Sequence, residues 1–101
     1  MSVINKISVN ACDNELIIIA STDRGSSELM HLKSGFNAPV SYSVNPAHIL
    51  APGKYDLTVI GINWGGPGKI SVDIDGDSPQ TLSGSGGKGV FFSETIPMVV
   101  A

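Results

Sequence analysis

A run of alternating residues between Ala51 and Asp77, APGKYDLTVIGINWGGPGKISVDIDGD, leaves this chain little choice but β-structure. Lys54 to Trp64 sets Tyr55, Leu57 and Val59 on one side and Thr58, Ile60 and Ile62 on the other. Side chains in a strand alternate with period two, so both faces are largely apolar and the strand is predicted to be central. Gly65-Gly66-Pro67-Gly68 breaks the run, because glycine admits positive φ and proline has no N–H for a ladder. Lys69 to Asp75 then alternates cleanly, with Ile70, Val72 and Ile74 inward and Lys69, Ser71, Asp73 and Asp75 toward water. Asp75-Gly76 has the composition of a two-residue hairpin turn, and Asp77 to Leu82 is expected to return beside it. The expectation is a three-stranded antiparallel meander.

The other segments read as strands paired onto that centre. Val3 to Ala11 alternates Val3, Asn5, Ile7 and Val9 against Ile4, Lys6, Ser8 and Asn10, and Asp13-Asn14 ends it in a turn. Glu15 to Thr22 holds Leu16, Ile17, Ile18, Ile19 and Ala20, a β-branched run suited to a strand covered on both faces. The second cover is either a partner sheet or a partner subunit. Residues 28–33 fit a short helix capped by Ser27 and also fit a strand; barely two turns of helix favour the strand. Phe36 to Ala38 is a connection, Pro39 to Val44 a further strand, and Asn45-Pro46 can open one helical turn. Ser83 to Gly89, seven residues with four glycines, reads as a flexible connector. Val90-Phe91-Phe92 and Ile96 to Val100 close the chain, with Pro97 restricting the last strand to an edge or a bulge. About seven or eight short strands make an all-β, antiparallel, jelly-roll-like sandwich.

Size and charge narrow what such a fold does. The 101 residues form one domain, 1–101. A hydrophobic fraction of 42%, a charged fraction of 15% and a mean hydropathy of +0.20 are rich for a small monomer, so apolar surface buried between subunits of a homo-oligomer is expected. A net charge of −3 with six Lys and Arg gives no basic footprint for nucleic acid. Cys12 is the single cysteine, which excludes an intrachain disulfide and a thiolate metal cage, and it reads as a small buried hydrophobe. No run approaches the roughly 18 to 20 apolar residues of a membrane span, and the N-terminus lacks a secretory signal. Synthesis in the cytoplasm is the expectation, with export by a route using no cleaved signal left open.

Groups for catalysis are sparse. His31 and His48 are the only histidines, and no nucleophile elbow, HExxH or Walker sequence occurs. The chain therefore reads as a non-enzyme without a cofactor. Asp73, Asp75 and Asp77 place three carboxylates within five residues and are the one candidate calcium set. They fail the EF-hand template, since Ser78 and Gly84 fall where glycine and glutamate belong. Trp64, the only tryptophan, follows Asn63 at the glycine-rich turn. One reading makes it a lid on the core. The other makes it a ligand platform, because sugar C–H faces stack on an indole while hydroxyls bond to amides and carboxylates. Asn63, Trp64, Tyr55 and Asp77 are the candidate ligand-binding residues, with Tyr42 and Asp56 as further contributors.

The succession GKYDLTV, a glycine-rich turn and GKISVDIDG is similar to the middle of jelly-roll carbohydrate-binding modules and related bacterial β-sandwich lectins, where a GxYxLxV strand precedes an antiparallel strand ending in Asp-Gly. The resemblance implies a non-catalytic, lectin-like domain with a carbohydrate ligand. Repetition in a homo-oligomer would add avidity to weak sites. The alternative is a structural or protein-interaction β-domain of a secretion, phage or toxin assembly.

Overall fold

Burial alternates along the long strands, and the buried rows meet between two sheets. The computed structural model describes residues 2–35 and 39–101. In chain order the elements are β1 (Ile4–Asp13), β2 (Glu15–Thr22), β3 (Gly25–Lys33), β4 (Tyr42–Val44), a 3-10 turn (Pro46–His48), β5 (Gly53–Asn63), β6 (Gly68–Gly76), β7 (Gln80–Gly86) and β8 (Gly89–Val100). One antiparallel sheet has the order β4-β1-β6-β7 and the other β3-β2-β5-β8. Ile7, Val9, Ile70, Val72 and Ile74 from the first sheet bury against Leu16, Ile18, Leu57, Val59 and Met98 from the second. The chain is an all-β sandwich.

Several local expectations stand and others change. Residues 28–33 are strand, paired with β2. β5 is central, between β2 and β8, and β8 is an edge strand that accommodates Pro97. Asn45 caps the 3-10 turn, its Oδ1 accepting from the Ala47 N–H at 3.0 Å. The expected connection at Phe36 to Ala38 lies outside the described residues.

The three-stranded meander does not form, because β5 and β6 belong to different sheets. The buried side chain of Asn63 redirects the chain: its Nδ2 donates to the Gly66 carbonyl at 2.7 Å and the Gly86 carbonyl at 3.2 Å, and its Oδ1 accepts from the Gly65 N–H at 3.0 Å. These bonds fold residues 64–67 over toward β7 rather than back along β5. Of the three expected meander strands only β6 and β7 form a hairpin, and its turn is not Asp75-Gly76. Those two residues remain in β6 opposite Lys6 and Ile4, and the reversal falls on Asp77-Ser78-Pro79. Gly76 is required by proximity, since a Cβ there would stand 2.0 Å from the Val3 carbonyl oxygen.

Strict alternation also fails in β1. Register shifts between Ile4 and Lys6 and between Val9 and Ala11 leave Asn5 and Asn10 unopposed. Each extra residue reverses the inward phase, so Ile4 joins Ile7 and Cys12 joins Val9 in the core.

The glycine-rich Ser83 to Gly89 is not a connector. Through Gly86 it belongs to β7, and its glycines face inward where two phenyl rings need the space. A Cβ on Gly84 would meet Phe92 at 2.7 Å and one on Gly86 would meet Phe91 at 2.6 Å, whereas one on Gly87 meets nothing within 4 Å. The rings of β8 thereby close the sandwich over β7. Gly84→Ala and Gly86→Ala should each cost about 1–3 kcal/mol by overpacking, which lowers the melting temperature by about 4–8 °C per kcal/mol in a domain of this size. Gly87→Ala should leave it nearly unchanged; thermal unfolding of the three variants checks the contrast.

Candidate functional site

The chemistry of this molecule gathers at the end of the sandwich where β5 leaves its sheet. Trp64 continues the outward row of β5 past Ile62 and is 60% exposed. Its ring therefore lies on the outer face and does not cover the core. Both of its N–H groups are held: the backbone N–H donates to Asn14 Oδ1 at 2.9 Å, and the indole Nε1–H donates to Glu15 Oε1 at 2.7 Å. Asn14 is itself fixed, its N–H bonding the Ile62 carbonyl at 3.1 Å and its carbonyl accepting from Ser34 at 2.7 Å. An exposed indole anchored at two points presents its ring without the rotamer freedom of an ordinary surface tryptophan.

Glu15 is the buried centre of this arrangement, 6% exposed at the start of β2. Its Oε2 bonds His31 Nε2, and His31 Nδ1 lies 2.8 Å from Glu28 Oε1. The hydrogen bond from His31, and after it the one from Trp64, holds the Glu15 carboxyl below its ordinary value of 4.5, with Lys33 adding a smaller attraction and burial opposing.

The sequence candidates divide between the two ends of the molecule. Asn63 and Trp64 are adjacent, but Asn63 is fully buried and spends its amide on the turn. Tyr55, nine residues back along β5, is about 30 Å away at the rise of a strand. Its Oη donates to the Ala51 carbonyl at 2.7 Å, and it borders shallow clefts with Ala20, Arg24 and Ser26 on one side and Asp23 and Asp56 on the other. Asp77 lies in the other sheet's hairpin turn, where its Oδ2 accepts from the Val3 N–H at 3.3 Å. Tyr42 is exposed on β4. The structure brings neither Tyr55 nor Asp77 to Trp64.

The acidic run is similarly dispersed. Asp73 accepts from Thr81 Oγ1 at 2.8 Å and Asn10 Nδ2 at 2.7 Å, and these bonds, Thr81 first, lower its carboxyl below the ordinary value of 3.8. Asp75 faces outward opposite Lys6, and Asp77 serves the turn. Among the described residues no group of three or more His, Cys, Asp or Glu side chains is placed to hold a metal ion. Burial pushes the Cys12 thiol up to about 11.

Glu15, Glu28 and Asn14 belong to this candidate site, and sequence reading missed them. Glu15 gave one signal, a carboxylate opening an otherwise aliphatic strand on the same parity as Ile17 and Ile19. Glu28 and His31 share a face only because the register shift opposite Ile18 and Ile19 leaves Leu29 unopposed.

Comparison with protein-family models, with characterised proteins and with solved structures returned no match. Among the described residues no helix is long and apolar enough to cross a membrane.

Two outcomes follow from these environments. A carboxyl with a lowered native pKa contributes stability above its ordinary value and loses it as pH falls through the native one. The melting-temperature advantage of the wild type over Glu15→Gln should therefore be full above pH 4.5 and shrink on acidification below it; melts over an acid pH series check this. Cys12, protonated and buried, should fail to react with a thiol reagent at about pH 8 until denaturant unfolds the chain.

Proposed function

We propose that this protein is a non-catalytic, lectin-like carbohydrate-binding domain that acts as a homo-oligomer, with the Trp64 ring as its sugar platform. The observation that carries the reading is the indole that is exposed and yet tied through both N–H groups. A sugar stacked on such a ring loses little affinity to ordering of the protein. Lys33, opposite Glu15 on β3, and Glu28 supply charged groups beside the platform for hydroxyl recognition. Glu15 and His31 position the indole and do not themselves bind the ligand. Asn63 contributes by shaping the turn from which Trp64 projects. Binding is proposed to need no calcium, because Asp73 accepts from Asn10 and Thr81 within the first sheet and Asp77 accepts from Val3 beside its turn.

A second reading, a structural or protein-interaction β-domain, is favoured by one observation: isoleucines line the outer face of the second sheet. Self-association through that face is compatible with sugar binding at its rim.

A glycan-array screen of the purified protein, with calcium and with a chelator, tests the first reading. The expected result is selective binding that survives chelation and that Trp64→Ala weakens by about tenfold or more, the equivalent of about 1.4 kcal/mol, with the circular dichroism of the sandwich retained. A blank across a broad array would overturn it.

A further inference from the structure

The two outer faces of the sandwich differ in kind. On β6 and β7 the outward positions are Lys69, Ser71, Asp73, Thr81, Ser83 and Ser85, an ordinary wet face. On the second sheet the outward row of β2 is Glu15, Ile17, Ile19 and Ser21 and that of β5 is Lys54, Asp56, Thr58, Ile60 and Ile62, and none of the isoleucines is fully buried. The register sets Ile17 beside Ile60 and Ile19 beside Thr58, so the aliphatic groups are contiguous. Val90, 65% exposed, extends the patch onto β8. Contiguous apolar surface with a polar border marks an interaction site.

We infer that a second copy of this chain docks on this face, sheet against sheet, and that the resulting dimer presents both Trp64 rings at the same end. Size argues for a second copy. Four strands about 4.8 Å apart, with about nine residues each rising about 3.3 Å, span about 20 by 30 Å before side-chain relief is added, which is the scale of the about 800 Å² per partner buried in a stable complex. The anatomy agrees: the isoleucine centre is bordered by Glu28 and His31 on β3 and by Ser93 and Thr95 on β8. The face is also self-complementary. A two-fold axis running along the strands lays Ile17 of one copy over Ile60 of the other, and sets Glu28 and His31 against Thr95 and Ser93 of the other copy, so like charges do not face each other. That axis preserves direction along the strands. Each Trp64, one position beyond Ile62, therefore lies at the rim, and the pair sit at one end of the dimer.

The dimer gives a face to the self-association proposed above and rests on that part of the reading, while the use of its paired rings rests on the sugar platform. Sedimentation velocity of the full chain, from about 1 to about 100 μM, tests the face. The wild type should run at twice the chain mass of 10.5 kDa, and Ile60→Lys should run as a monomer, its dimer dissociation constant raised at least about a hundredfold. Ser71→Lys, on the wet face, should remain a dimer. Thr58→Lys repeats the test on the same face should Ile60→Lys fail to fold by circular dichroism. A wild type that stays monomeric at about 100 μM, or a folded face variant that dimerises like the wild type, overturns the inference. Titration of Trp64 fluorescence with a soluble glycan separates the two readings. A monomeric variant that keeps single-site affinity but binds a glycan-coated surface about 10²-fold more weakly supports both. A dimer that binds no glycan sinks the platform and leaves the face standing; a monomer that binds soluble glycan does the reverse.

Discussion

The geometry of the candidate site depends on one buried amide. Asn63 is fully buried at the last position of β5, and three hydrogen bonds satisfy its side chain within the turn and against β7. A buried amide without partners costs about 1–3 kcal/mol, so the turn that supplies those partners is strongly specified. Its consequence is topological: β6 starts in the opposite sheet. It also sends residue 64 outward. The tight fit of Gly68 against Asn63 and the Gly86 carbonyl shows how closely the two sheets meet there.

From that fixed point the site is built by parity. Trp64 continues the outer row of β5, Glu15 opens the outer row of β2, and His31 and Glu28 occupy the outer row of β3. The carboxylate couples the indole to the imidazole, and the imidazole couples it to a second carboxylate. Burial disfavours a charge on Glu15, and the two donors outweigh that penalty. A side chain that could rotate freely in water is thereby fixed without being covered. The same outer rows carry the isoleucines, so the proposed sugar platform and the proposed dimer face share one sheet.

The strand content was legible in the sequence because period two is imposed by backbone geometry alone. It placed β5 at the centre of its sheet, Pro97 on an edge and Asn45 at a cap. Sheet membership was not legible, since the bonds that send β6 across the sandwich belong to a single asparagine whose partners include Gly86, far along the chain. The serine-glycine run misled for a related reason: glycine in a strand and glycine in a linker look alike until Phe91 and Phe92 are seen to fill the space above it. Trp64 was singled out by its position beside a turn, but its anchor was not. Glu15 lies 49 residues away, and only strand register unites them.

The measurement that bears most directly on the account is the indole N–H resonance of Trp64, which as the only tryptophan gives one unambiguous signal in a proton–nitrogen correlation spectrum. With the indole bonded to buried Glu15 and its ring exposed, the signal should exchange slowly with solvent and should shift saturably as a recognised glycan is added. A signal that exchanges like a free indole, or that stays unmoved across a broad panel of glycans, would contradict it.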